Sequence, residues 1–186
     1  KEEEAKRIRE DGEHKEFLPG VPIRKEIKIV VSPEEAVKDS EIVIAAVPSK
    51  FVRINIEKFA PFLNKKQVIV NVAKGLEDNS LKTLAEVIKD CVPQCEVAVL
   101  SGPSHAEEVG RGVPTAAVIA CENEDIAKMI QHEFSNPVFR LYTNTDVVGV
   151  EIGAAMKNII ALAAGMSDGL GYGDNTKAAL MTRGMA

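Results

Sequence analysis

Three short stretches hold the residues with the most chemistry to offer. GAAMKNIIALAA (153–164) sets Lys157 and Asn158 inside an apolar, small-residue helical run. NVAKGLED (71–78) sets Lys74 just after an apolar run and before a glycine, and LSGPSHAEE (100–108) brings Gly102, Ser104 and Ala106 to the end of another. A charged side chain among glycine, alanine and isoleucine is costly unless something uses it. At helical spacing Lys157 shares a face with Val150, Gly153, Ala154, Ile160, Ala161 and Ala164, while Ile152, Ile159, Leu162 and Met166 point roughly the other way. Small neighbours leave room for a ligand or another backbone, and burial lowers a lysine's pKa toward the range useful for proton transfer. The same spacing also fits a lysine that snorkels to water or pairs with a structural carboxylate. Asn158 brings a donor and an acceptor, for a substrate or for a neighbouring loop.

In open α/β sheets, ligands bind beyond the carboxyl ends of the strands, so Lys74 stands where a cation meets an anionic ligand; an exposed turn lysine has the same spacing. Gly102, Ser104 and Ala106 let backbone amides and a hydroxyl approach a substrate or cofactor, or else open a plain capped helix. VPSKF (47–51) is a fourth turn of this kind, with Phe51 available to cover a flat ring or to fill the core. His105 has no Ser or Cys partner pattern, so no triad is read, and the His and Cys spacings do not form a metal site.

These turns require a sheet to hold them. From Ile27 to Thr143, short β-branched runs alternate with amphipathic stretches, which predicts an α/β fold with a mostly parallel, Rossmann-like sheet and flanking helices. Strands are expected at 27–31, 41–47 (apolar throughout, as if buried on both faces), 67–72, 96–101, 115–121 and 138–143. Helices are expected after Ser32 as N-cap and Pro33 as first residue, through SKFVRINIEKFAPFL, over 80–90 and over 123–134, with a short one in GPSHAEEVGRG. From Asp146 the pattern is helical only: a long helix to about Met166, the turn GLGYG, and a helix from Asn175. The division is therefore 1–145, a sheet unit that suggests nucleotide binding, and 146–186, the beginning of a helical region.

Composition sets limits on the partners. The 186 residues are 45% hydrophobic and 27% charged with net charge -5, as in soluble globular proteins, and this acidity argues against a nucleic acid or an anionic membrane. Cys91, Cys95 and Cys121 are an odd number without zinc-like or CxxC spacing, which reads as reduced thiols in the cytoplasm. The longest apolar stretch is broken by Lys157, Asn158 and Asp168, a poor membrane span. No GxGxxG joins a strand to a helix; Gly169, Gly171 and Gly173 follow a helix and read as a turn. The polar opening KEEEAKRIRE, without an initiator methionine or an apolar leader, is expected to continue a longer chain whose first strand-turn-helix lies ahead of it.

Taken in order, VPSKF, NVAKGLE, LSGPSHAEEV, GVEIGAAMKNIIALAAGMSDGLGYGDN and TKAALMTRG closely resemble the bacterial-type NAD(P)-dependent glycerol-3-phosphate dehydrogenases, from about Phe17 onward. The resemblance implies a two-domain oxidoreductase, truncated here at both ends, with residues 1–145 an NAD(P)-binding Rossmann domain lacking its first βα unit and 146–186 the beginning of a helical substrate domain. It would interconvert sn-glycerol 3-phosphate and dihydroxyacetone phosphate with NAD or NADP for phospholipid synthesis. It makes Lys157 the catalytic acid/base at the substrate's C2 oxygen and Asn158 a substrate-orienting residue. Lys74 falls between substrate and nicotinamide, as a catalytic, substrate-binding and cofactor-binding residue. Gly102 and Ser104 become substrate contacts, and Phe51 and Ala106 cofactor contacts. It further implies a cytoplasmic homodimer acting on a small phosphorylated molecule, without nucleic acid, metal or membrane insertion, and a fragment weak or inactive alone. Another β-hydroxyacid or 6-phosphogluconate-type dehydrogenase is the alternative enzyme, although its asparagine tends to follow a turn later; a non-catalytic Rossmann-like binding module is the alternative without chemistry.

Overall fold

A computed structural model describes residues 2–184. Helix α1 (Glu2–Asp11) leads into a small antiparallel hairpin, β1 (Glu13–His14) and β2 (Leu18–Pro22). Then follow α2 (Pro33–Val37), β3 (Ile42–Ala45), α3 (Val52–Phe59), β4 (Val68–Asn71), α4 (Leu84–Cys91), β5 (Glu96–Ser101), α5 (Ala106–Gly110), β6 (Thr115–Ala120), α6 (Glu124–Phe134) and β7 (Phe139–Asn144). Two helices close the chain, α7 (Val147–Gly169) and α8 (Asp174–Gly184). Strands β3 to β7 form one sheet in sequence order, parallel except for the antiparallel β5–β6 pair. The fold is α/β with a mostly parallel sheet, as the alternation predicts.

Period-two alternation sends successive residues to opposite faces, and both faces are covered. Ile69, Val97 and Val99 pack under α2, α3, α4 and the first turn of α7, whereas Val68, Val70, Ala98, Ile119 and Leu141 pack against Ala127 and Ile130 of α6. All four residues of β4 are buried, so this is the doubly covered strand. Several boundaries follow from capping: Ser32 accepts from the Glu35 amide with Pro33 at N1, Asn123 accepts from Asp125 and Ile126, and Asp146 accepts from Gly149. Thr83 and Glu86 form a reciprocal capping box, which starts α4 at Leu84 rather than at Ser80.

Two expectations are corrected. IKIVV (27–31) is irregular rather than a strand, because no neighbouring strand pairs with it among the described residues; Arg9 Nε instead donates to the Ile29 carbonyl at 2.9 Å. In consequence β3 forms the sheet edge and is not buried on both faces, with Ile44 51% exposed. The hairpin of β1 and β2 was not expected, since LPGVP carries two prolines and a glycine.

Candidate active site

Because β3, β4 and β5 are adjacent and parallel, the turns after their carboxyl ends gather along one edge of the sheet. After β3, Ser49–Phe51 forms a 3₁₀ turn. After β4 comes Lys74-Gly75, and Gly75 (φ +129°) lies so close that a Cβ there would sit 3.2 Å from Ser49 Oγ. After β5, Gly102 passes so tightly over β6 that a Cβ would meet Ala117 Cα at 2.9 Å. Glycine is therefore dictated by packing at Gly102 and by backbone conformation at Gly75.

The lysine of the middle turn reaches the third turn: Lys74 Nζ donates to Ser104 Oγ at 3.4 Å, and the Ser104 hydroxyl and amide both donate to the Gly102 carbonyl. Lys74 is half-buried, and burial followed by the positive charge of nearby Lys157 pushes its pKa down. Helix α7 thus brings Lys157 toward the sheet-end turns. Lys157 Nζ donates to Asn158 Oδ1 at 2.8 Å. The buried setting considered for Lys157 is not found: both it and Asn158 are exposed, and the buried residues of α7 are Val147 and Glu151 in its first turns and Ser167 near its end. Phe51 is 46% exposed with the Lys50 ammonium 4.9 Å from its ring centroid, so it is free to cover a flat group. Ala106 is exposed at the first position of α5.

The middle turn is braced from behind. Asn71, fully buried at the end of β4, accepts from the Ala73 amide at 3.1 Å and donates to the Ala73 carbonyl at 3.2 Å. Beyond Lys74, Arg53 of α3 donates through two nitrogens to Glu77, at 2.7 and 2.9 Å, and to Asp90 at 3.3 Å. The Arg53 hydrogen bonds, then that of Ser80, hold the Glu77 carboxyl down at about 2. Sequence reasoning passed over Glu151, which is 3% exposed and accepts from the Ala85 amide of α4 at 3.0 Å. A single glutamate in a helical run gives no sign that it turns inward.

Two apolar cavities flank the β3 edge rather than the lysines. One, of about 600 Å³, lies among α1, α2 and α3 and includes Ile8, Val30, Val43 and Phe59; the other, of about 280 Å³, includes Ile44, Val70, Leu100 and Phe134. At the strand-end turns the Phe51 ring is exposed and Lys74 pairs with Ser104. Both N- and C-terminal family models match: NAD-dependent glycerol-3-phosphate dehydrogenase N-terminus over residues 1–127, and its C-terminus over 146–186.

The chain belongs to the NAD-dependent glycerol-3-phosphate dehydrogenase family. A glycerol-3-phosphate dehydrogenase [NAD(P)+] of Agathobacter rectalis is 50% identical over 185 residues, covering 100% of this chain and 55% of that protein. Its counterpart in a Thermoanaerobacter species is 54% identical over 173 residues, covering 93% of this chain and 52% of that protein. Among solved structures, the glycerol-3-phosphate dehydrogenase of Coxiella burnetii superposes with TM-score 0.88 at 34% identity, over 98% of this chain and 56% of its own. That of Plasmodium falciparum gives 0.89 at 26% identity, over 97% of this chain and 51% of its own. The chain thus spans about half the length of the curated glycerol-3-phosphate dehydrogenases it matches.

Proposed function

We propose that the full-length protein carrying this chain interconverts dihydroxyacetone phosphate and sn-glycerol 3-phosphate, with NAD or NADP, in the cytoplasm as a homodimer, feeding glycerophospholipid synthesis. The observation that carries this reading is the proximity of two cations beyond the carboxyl ends of the strands. Lys74 is half-buried on Ser104 and lies within electrostatic reach of Lys157. Two lysines at one site suit a small phosphorylated substrate and the charge that develops on its oxygen.

Bound NAD or NADP supplies hydride exchange at the substrate's C2. In the reducing direction Lys157 donates a proton to the C2 oxygen, and in the oxidising direction it takes that proton back. Lys74 would stabilise the developing negative charge on that oxygen and serve as a contact for both substrate and nicotinamide. Asn158, bonded to Lys157, orients the substrate; Gly102 and Ser104 contact it. Phe51 and Ala106 contact the cofactor. The division between a nucleotide-binding unit over 1–145 and a substrate unit from 146 is supported by the separate matches over 1–127 and 146–186.

The free edge of β3 and the two apolar cavities beside it offer a place for a further parallel strand and its helix, which would bring the glycine-rich pyrophosphate turn. Helix α7 is long and apolar enough to cross a membrane by length and composition. Its first turns are nevertheless embedded in the sheet body through Val147 and Glu151, and Lys157 and Asn158 lie midway along it, which supports a protein cover for its exposed apolar face.

The test is NAD(P)H oxidation by the full-length protein with dihydroxyacetone phosphate as substrate, beside fluorescence titration of the 186-residue chain with NAD(P)H. Turnover by the former with weak binding by the latter is expected. No turnover with this substrate would overturn the reading of the activity, and tight binding by the short chain would overturn the need for a further strand-turn-helix.

A further inference from the structure

The carboxylate of Glu151 is the one strongly buried acid on α7, and all its partners are donors from elsewhere in the body. Oε1 accepts from the Ala85 amide at 3.0 Å and from Asn71 Nδ2 at 3.5 Å, and Oε2 accepts from the Ala85 amide at 3.4 Å. Thr83 and Leu84 also lie close enough to favour its charged form. Asn71 in turn clasps both backbone groups of Ala73, the residue before Lys74. One chain of hydrogen bonds therefore runs from α7 through Glu151, Asn71 and Ala73 to the Lys74 turn. Along α7, Lys157 follows Glu151 by six residues, about 9 Å of helix at about 1.5 Å per residue.

We propose that Glu151 is a positioning residue: by binding the start of α4 and Asn71 at the end of β4, it sets α7 against the sheet so that Lys157 and Lys74 address the same substrate. The proposal rests on the dehydrogenase reading above for its catalytic consequence, though not for its geometry. Burying a carboxylate is costly, and burial outweighs the donors here, pushing the Glu151 pKa up. An apolar side chain would fill the same space without that cost, but it would leave the amide of Ala85 and the Asn71 side chain without this acceptor and α7 without a fixed rotation. Beyond Glu151 most of α7 is exposed, apart from Ser167 and the face that packs on α8, so it is the inward-facing first turns that seat it against the sheet.

The experiment uses the full-length enzyme with two variants. Glu151→Gln keeps the length but turns an NH2 donor toward the Ala85 or Asn71 donors; Glu151→Asp keeps the charge but shortens the reach by one methylene. Both should fold, with a lowered thermal midpoint from the donors left unpaired and NAD(P)H affinity close to wild type, while kcat falls at least tenfold. NMR titration of isotopically labelled Lys74 supplies a readout independent of turnover. If Lys157 swings away, its repulsion is lost and the Lys74 pKa rises in both variants; mere removal of the Glu151 charge in Glu151→Gln would lower it instead. Unchanged kcat, or an unchanged or lowered Lys74 pKa in folded variants, would overturn the proposal. If the wild-type enzyme turns over no dihydroxyacetone phosphate, the activity reading fails, while the Lys74 titration still decides the positioning role.

Discussion

Lys74 and Lys157 approach each other from opposite kinds of support. Lys74 rides on a turn fixed by Asn71 behind it, by Ser49 packed on Gly75 beside it, and by the Arg53–Glu77 pair beyond it, and its ammonium rests on Ser104. Lys157 stands on an exposed helix and bonds only to its neighbour Asn158 among the described residues. The sheet therefore delivers a rigid cation with few accessible alternatives, and the helix delivers one whose aim depends on how α7 is seated. Rigid placement suits charge stabilisation, whereas proton transfer requires a group that reaches the reacting oxygen.

On the rigid side, Lys74 itself should give the largest effect and its supports smaller ones. Lys74→Ala in the full-length enzyme is expected to lower kcat about 10²- to 10³-fold, the usual consequence of losing a fixed charge-stabilising group, with little change in thermal midpoint. A loss under threefold would remove Lys74 from the chemistry. Gly102→Ala should destabilise the fold by about 1–3 kcal/mol in urea denaturation, because its Cβ would collide with the β6 backbone at 2.9 Å. Wild-type stability would mean that the turn after β5 shifts freely. Thr83→Ala, which removes the capping-box hydroxyl at the helix end that Glu151 binds, should cost about 1 kcal/mol.

The smallest effect concerns acid. The Glu77 carboxyl, held at about 2 by Arg53, has a folded-state pKa below its ordinary value. Its stabilising contribution is therefore complete above the ordinary carboxylate range and is lost as pH falls through about 2. Arg53→Met should return the Glu77 titration, followed by NMR, toward the ordinary range; an unmoved titration would show that the Arg53 clamp does not hold the turn.

The asymmetry between the two lysines also marks what could be read from sequence. Strand EVAVLS, the Ser32 cap and the helix starts near Asn123 and Asp146 were legible because alternation and capping are local rules. The strand-end position of Lys74 followed from the same pattern. IKIVV was misread because a β-branched run becomes a strand only beside a partner, and none lies next to it among the described residues. The exposure of Lys157 was not legible, since small neighbours imply space but do not say whether protein or water fills it. Glu151 was hidden for a different reason: it meets Asn71 across 80 residues of chain, and nothing in GVEIGAA announces that contact.

In the proposed mechanism Lys157 moves the proton, Lys74 stabilises the developing charge and the remaining groups bind. Its most direct test is pre-steady-state NADH oxidation by full-length wild type and Lys157→Ala, with dihydroxyacetone phosphate saturating and NADH affinity measured separately. The expected result is unchanged NADH affinity and a chemical step slowed by about 10²- to 10⁴-fold. A variant that reduces the substrate within twofold of the wild-type rate would contradict it.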